Sequence, residues 1–228
     1  MRAVGIVPAA GSGNRIGRRR PKQFLRLDQV PLLVHTLRAL GRARALDGVV
    51  VAAPPGAVEM TRRLLTRWRI PLILAVVAGG RTRQESVWEA LQQVPRATRL
   101  VVVHDGVRPF ITAALIRAVI RAARRHGAAT CGLPVWETVT RVRESVVEAT
   151  VAREGLWLVQ TPQAFHRSIL WEAHEKARRD GFTGSDDAGL VERLGTPVRM
   201  VVGLRENLKI TTRADLARAR VLLAGSRS

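Results

Sequence analysis

The sequence predicts an α/β fold, a mostly parallel sheet covered by helices on both faces, and three observations carry that expectation. Apolar, β-branched runs recur along the chain; between them lie stretches whose apolar residues fall three and four apart; and the two kinds of segment alternate. With 228 residues, 46% hydrophobic and 25% charged, the chain suffices for one compact domain with a sizeable core and falls short of two large ones.

Taken in order, strands are expected at residues 3–7, 49–53, 72–77, 100–103, 129–135 and 198–202, each short and continuously apolar, as strands buried on both faces read. Helices are expected at 31–40, 57–68, 84–93, 112–126, 168–179 and 186–194, where the apolar spacing is helical, and a last helix at 213–224 closes the chain. Residues 138–151 (TVTRVRESVVEATV) break the rhythm. They have no helical period and read as two extended pieces turning near Glu144 and Ser145, with too few apolar residues to bury both faces. Such a ribbon is either a surface hairpin on its own domain or an arm that packs against a second copy of the chain. There is no internal repeat, low-complexity tract or linker, so residues 1–228 are expected to form one domain, with 136–155 as the excursion.

The charge is unusual: 38 Lys+Arg against 18 Asp+Glu gives a formal +20. Only Lys22, Lys176 and Lys209 are lysines; the remaining basic residues are arginines. A lysine kept in so arginine-rich a chain marks a place where a compact ammonium is wanted. So positive a surface suits polyanions, whether nucleic acid, acidic lipid or phosphorylated substrate, and charge alone does not choose among them. The single cysteine, Cys131, forbids an intramolecular disulfide and any cysteine-based zinc cluster, which fits a reducing compartment and a cytoplasmic protein. The first ten residues have a short apolar part interrupted by Gly5 and Pro8, unlike a signal peptide, and no run approaches membrane-spanning length.

Four motifs carry chemistry. The first, AAGSGNRIGRRRPKQF, follows the first strand, where a glycine turn points backbone N–H groups into the crevice beyond the strand ends. It is not the dinucleotide fingerprint, because Ile16 holds the third glycine position and no acid ends the second strand at Ala53 and Pro54. Nor is it a Walker A loop, since no glycine stands directly before a lysine followed by Ser or Thr. Gly11 and Gly13 are followed by Arg15, Arg18, Arg19, Arg20, Lys22 and Arg26 without an intervening acid: a polyphosphate cradle or, read blandly, a solvated basic loop.

In the second motif, LVVVHDGVRPF, Asp105 ends a buried strand and reaches the same crevice. A carboxylate facing a triphosphate needs a divalent ion between them, which makes Asp105 the candidate metal ligand; taken alone, the His-Asp pair reads rather as a turn cap or a partner of Arg108. His104 reads as a packed histidine. The third, GGRTRQESV, is a glycine turn into a helix with Ser86 in the first turn, where free N–H groups accept anions or polar edges. In the fourth, NLKITT, Lys209 lies in an extended run and, if it faces the cleft, needs an anionic partner. Lys176, among charged neighbours on a helix, reads as solvated.

Together with PVWETV, REGLW, QTPQAF, GSDDA and ENLKIT, in that order over nearly the whole chain, these motifs resemble the 2-C-methyl-D-erythritol 4-phosphate cytidylyltransferases of isoprenoid precursor biosynthesis. The resemblance implies a Rossmann-like nucleotidyltransferase fold with a protruding β-arm that joins a homodimer. It implies a reaction of CTP with a phosphorylated sugar alcohol, assisted by Mg²⁺, releasing pyrophosphate. Arg15, Lys22 and Lys209 then match catalytic cations, and Asp105 the metal carboxylate. Ala9, Ala10, Gly11, Gly13, Gly80 and Ser86 match the CTP site. Arg108, Thr138, Thr161, Ser185 and, from the other subunit, Arg153 match the acceptor site. Two positions depart from the family pattern: Arg81 stands where an acid is frequent, with a ribose contact at stake, and Ser185 replaces a frequent Thr but keeps the hydroxyl. The rivals are a ribitol 5-phosphate cytidylyltransferase, another sugar-phosphate nucleotidyltransferase, or a basic nucleic-acid-binding protein. Against the last, the five tryptophans are scattered rather than set as a stacking platform. Neither a specific nucleic acid nor a membrane is an expected partner.

Overall fold

In the computed structural model, which describes residues 2–11 and 21–225, the chain folds around one seven-stranded sheet. The elements run β1 (Ala3–Pro8), β2 (Arg26–Leu27), β3 (Val30–Pro31), α1 (Leu32–Arg42), β4 (Gly48–Ala53), α2 (Val58–Arg67), β5 (Ile73–Ala78), α3 (Arg83–Leu91) and β6 (Leu100–Val103). They continue α4 (Ala113–His126), β7 (Ala128–Pro134), β8 (Val139–Arg143), β9 (Val146–Val151), β10 (Trp157–His166), α5 (Arg167–Arg179), α6 (Asp187–Glu192), β11 (Arg199–Val202) and α7 (Arg213–Gly225). The sheet order is β11-β7-β10-β6-β1-β4-β5. All its ladders are parallel except those of β10, which runs antiparallel to both β6 and β7.

The expected strands and helices all form, with ends shifted by a residue or two. Local chemistry sets several starts: Thr82, Thr112 and Asp186 cap α3, α4 and α6 by accepting the N–H of Glu85, Leu115 and Gly189. Alternation along the strands sorts the core into two layers. Val7, Val51 and Val102 face α1, α2 and α4, with Leu33, Leu37, Leu65, Ile116 and Val119; Ile6, Val50 and Val101 face α3, α5 and α6, with Val87, Leu91, Leu170 and Val191. A smaller cluster, Leu25, Leu27, Leu32, Ile210 and Ala219, fastens α7 against the β2–β3 ribbon.

Strand β10 is the element the apolar pattern does not announce. Gln160, Thr161, Pro162 and Gln163 interrupt it, and the ladder to β7 is broken between Gln160 and Ala164, where proline has no N–H to give. Its buried polar groups are satisfied instead by specific partners: Gln163 Nε2 donates to Thr130 Oγ1 (3.0 Å) and Asp186 (2.6 Å), and its Oε1 accepts the Ala188 N–H (3.1 Å). Residues 138–151 form the expected hairpin; β8 and β9 pair only with each other, around Glu144 and Ser145 at positive φ of 49° and 67°.

Candidate active site

The cleft opens beyond the carboxyl ends of β1, β4, β5 and β6, where an open α/β sheet binds ligands. Its larger compartment, about 650 Å³, is lined by Ala9, Ala10 and Gly11 from the turn after β1, by Lys22, and by Gly80 and Ser86 at the head of α3. A smaller one, about 210 Å³, contains Arg108, Thr161 and Ser185. Asp105, Lys209 and Arg83 line both and form the wall between them. Arg15 and Gly13 fall outside the described residues. Thr138 and Arg153 lie exposed at the root of the hairpin and line neither compartment of their own chain; the Arg153 guanidinium donates to the Trp136 carbonyl.

The nucleotide side is shaped by close approach. A Cβ on Gly79 would stand 2.4 Å from Ala10 Cβ and 2.8 Å from Ser86 Oγ, and one on Gly80 would stand 2.2 Å from Glu85 Cβ, so only glycine lets this turn press against the turn after β1 and against α3. Ser86 Oγ donates to the Thr82 carbonyl at 2.8 Å, closing the first turn of α3. Gln23 Nε2 donates to the Ala9 carbonyl at 2.5 Å, which ties the 3₁₀ turn carrying Lys22 to the glycine turn. Arg81 lines the cleft and is held by Glu85, whose carboxylate accepts the Arg81 N–H at 2.7 Å and lies 3.7 Å from its guanidinium.

Asp105 is the electrostatic centre. It is 5% exposed; Arg83 Nε lies 3.0 Å from Oδ1, Lys209 Nζ 2.8 Å from Oδ2, and Arg108 Nε 3.7 Å from Oδ2. Burial pushes its carboxyl up, but Arg83, Lys209 and Arg108 hold it well below the usual carboxylate range. The lone aspartate is thus both a partner of Arg108 and a cleft carboxylate.

Its backbone is braced by β10. The Asp105 N–H donates to Thr161 Oγ1 (3.0 Å); the Thr161 hydroxyl then donates to His104 Nδ1 (3.0 Å), and His104 Nε2–H donates to the Arg108 carbonyl (3.1 Å). That chain requires a neutral imidazole, and burial pushes His104 down to about 4. His104 is therefore the packed strut expected of it. Asn207 Nδ2 donates to the Thr161 carbonyl (2.8 Å) and Gln160 Oε1 (3.2 Å), and Arg108 Nη1 donates to the Asn207 carbonyl (2.6 Å). These bonds deliver Lys209, two residues on, to Asp105.

Arg83, Asp187 and His174 are the residues sequence reasoning missed. Arg83 Nη1 lies 2.7 Å from Asp187 Oδ2 while its Nε holds Asp105, and Asp187 Oδ1 accepts from His174 Nε2 at 3.0 Å. Asp187 and His174 are fully enclosed, and the carboxyl of Asp187 is lowered because Arg83 and His174 outweigh its burial. Arg83 lies within GGRTRQESV beside Arg81, and Asp187 within GSDDA beside Asp186; their place in these motifs was the available signal, and neither motif tells which member of its pair turns inward.

One divalent ion is compatible with this chemistry. Among the described residues no group of three or more His, Cys, Asp or Glu forms a metal cage. A single ionised carboxylate with unused lone pairs suits an ion whose other ligands are phosphate oxygens and water, as Mg²⁺ prefers.

Nucleotidyl transfer requires a polyphosphate and an anionic acceptor to meet across a wall of cations, and two compartments divided by Lys209, Arg83 and Asp105 provide that meeting. By fold and site the chain is a nucleotidyltransferase of the Rossmann-like α/β type. The family model described as IspD, 2-C-methyl-D-erythritol 4-phosphate cytidylyltransferase, matches residues 3–225. The chain is 43% identical to the cytidylyltransferase of that name from Syntrophus aciditrophicus, over 97% of this chain and 96% of that one. To the one from Symbiobacterium thermophilum it is 46% identical, over 96% and 91%. The solved structure of the Thermus thermophilus cytidylyltransferase superposes with a TM-score of 0.80 at 40% identity, covering 98% of this chain and 100% of that one. The chain belongs to the 2-C-methyl-D-erythritol 4-phosphate cytidylyltransferase family.

Proposed function

We propose that this chain transfers the cytidylyl group of CTP to 2-C-methyl-D-erythritol 4-phosphate, giving 4-diphosphocytidyl-2-C-methyl-D-erythritol and pyrophosphate in isoprenoid precursor biosynthesis. The observation that carries the reading is the Lys209–Asp105 pair at 2.8 Å on the wall shared by both compartments. An acceptor phosphate oxygen attacks the α-phosphorus, a new P–O bond forms, and the bond to pyrophosphate breaks with its electron pair leaving on the pyrophosphate oxygen. No protein nucleophile is needed, so catalysis is positioning and charge stabilisation.

Ala9, Ala10, Gly11, Gly80 and Ser86 seat the nucleotide base and ribose, with Gly13 in the same loop. Lys22, together with Arg15, neutralises charge on the nucleotide phosphates. Lys209, whose side chain is 40% exposed, can turn from Asp105 toward either reactant. Arg108 and Thr161, with Ser185, receive the acceptor; the buried Arg108 Nε has no hydrogen-bond partner of its own, which suits an anion beside it. Asp105 would hold a Mg²⁺ ion, which would supply charge neutralisation to the nucleotide phosphates.

A homodimer joined through the hairpin is part of the same proposal. Val142 and Val147, paired across the hairpin, leave an exposed apolar patch on one face of β8–β9, with Val146 exposed on the other, and Thr138 and Arg153 are exposed at its root, where they can serve the acceptor site of a second copy. The buried, free Cys131 thiol, pushed up to about 12 by burial, fits a cytoplasmic setting. The ribitol phosphate and nucleic-acid readings are not favoured by the relatives. The deciding experiment is pyrophosphate release with CTP, Mg²⁺ and each acceptor in turn. Turnover with methylerythritol phosphate far above ribitol phosphate is expected, and the reverse preference sinks the reading.

A further inference from the structure

At the opposite end of the sheet from the cleft lies a second hollow of about 720 Å³, larger than either active-site compartment. It is lined by Arg2 before β1, Arg96 and Arg99 before β6, Arg124 on α4, and His166 and Arg167 where β10 passes into α5. No acid lines it, and among the described residues none of these five arginines makes an ion pair. Five uncompensated guanidinium groups around one concavity repel one another and focus positive potential into it. The α5 N-terminus opens onto the hollow without a side-chain cap; the Arg167 N–H is taken by the Arg99 carbonyl at 2.9 Å, and the positive end of the helix dipole, at Ser168, adds to the same field. Two donors in the wall are also unsatisfied: Thr98 Oγ1, on a residue 3% exposed, and Arg167 Nε.

From this convergence we infer that the hollow is a second anion site that binds a small multiply phosphorylated molecule, of the di- or triphosphate class. Its volume matches that of the nucleotide compartment, and its planar guanidinium forks suit terminal phosphate groups. A single-stranded nucleic acid is the poorer fit, because no Phe or Trp lines the hollow, His166 is its one aromatic ring, and the neighbouring Trp171 ring is covered by the Arg167 guanidinium, 5.0 Å from its centroid.

The test is calorimetric titration with inorganic tripolyphosphate in a Lys22→Ala/Lys209→Ala background, which weakens phosphate binding in the cleft. One site per chain is expected. Adding Arg96→Ser/Arg99→Ser/Arg124→Ser, all exposed positions, should weaken it by roughly tenfold or more, with a smaller loss for Arg99→Ser alone. The control Arg67→Ser/Arg69→Ser/Arg218→Ser, exposed arginines outside the hollow with the same charge change, should leave it intact. Equal weakening by both triple variants, or by neither, overturns the site. So does pocket-dependent binding of a short single-stranded oligonucleotide without tripolyphosphate binding, which would make the surface a nucleic-acid contact.

Discussion

Replacing Arg83 with methionine tests the network that holds Asp105. The substitution keeps the aliphatic stem and removes the guanidinium that bridges Asp105 at 3.0 Å and Asp187 at 2.7 Å. Asp105 keeps Lys209 at 2.8 Å and Arg108 at 3.7 Å, so its share of the loss is modest. Asp187, 1% exposed, loses its guanidinium partner and keeps the hydrogen bond from His174 Nε2 at 3.0 Å, so most of the cost falls there. A hydrogen bond to a charged group is worth about 1.5–3 kcal/mol, and removing one partner of a buried pair costs about 3–5 kcal/mol. Two such bonds, one partly compensated, put the expected loss near 4 kcal/mol, a large fraction of the roughly 5–15 kcal/mol that keeps a domain folded. Urea unfolding near neutral pH, read from midpoint and slope, measures it. The double variant Arg83→Met/Asp187→Asn removes the stranded charge as well and should recover about 1–3 kcal/mol relative to additivity. A loss below about 1 kcal/mol in the single variant, or strict additivity in the double, would refute the assigned role.

Three further outcomes are expected. His104 is held neutral with a folded pKa of about 4 against 6.5, so the unfolded chain takes up the proton first; its contribution is fully present above about pH 6.5 and is lost as pH falls toward 4, reaching about 2.5 kcal/mol at pH 4.5. His104→Gln, which does not titrate, should show a correspondingly flatter dependence of urea stability on pH over that window, and an unchanged slope counts against it. Lys22→Ala should lower turnover by about two to three decades with an unchanged unfolding midpoint, because a preorganised cation at a developing charge is worth about 3–4 kcal/mol; near-normal turnover in a folded variant removes Lys22 from the mechanism. Mixing Arg153→Ala with Lys22→Ala should restore activity up to about a quarter of sites if subunits exchange at random, and no recovery in demonstrated heterodimers argues against a shared site.

Much of the site was legible residue by residue. Ala9, Gly11, Lys22, Gly80, Ser86 and Asp105 converge on one cleft because each stands just past the end of a strand or in the first turn of a helix, and strand ends of a parallel sheet share one edge; Lys209 joins them from the irregular stretch between β11 and α7, held by Asn207. The hairpin at Glu144 and Ser145 was readable from its lack of helical period. Strand β10 was not, because Gln160, Thr161 and Gln163 look like loop residues until their buried partners are known.

By itself the sequence determined the alternation of strands and helices and the placing of cations and glycines in the crevice turns, since periodicity, caps and the absence of a Cβ act over a few residues. Only the tertiary structure decided that β10 enters antiparallel between β6 and β7, and that Arg83 meets Asp187, 104 residues away, beneath Asp105. Those contacts depend on which polar groups are buried together far from water, and burial is a property of the folded chain that no local spacing encodes.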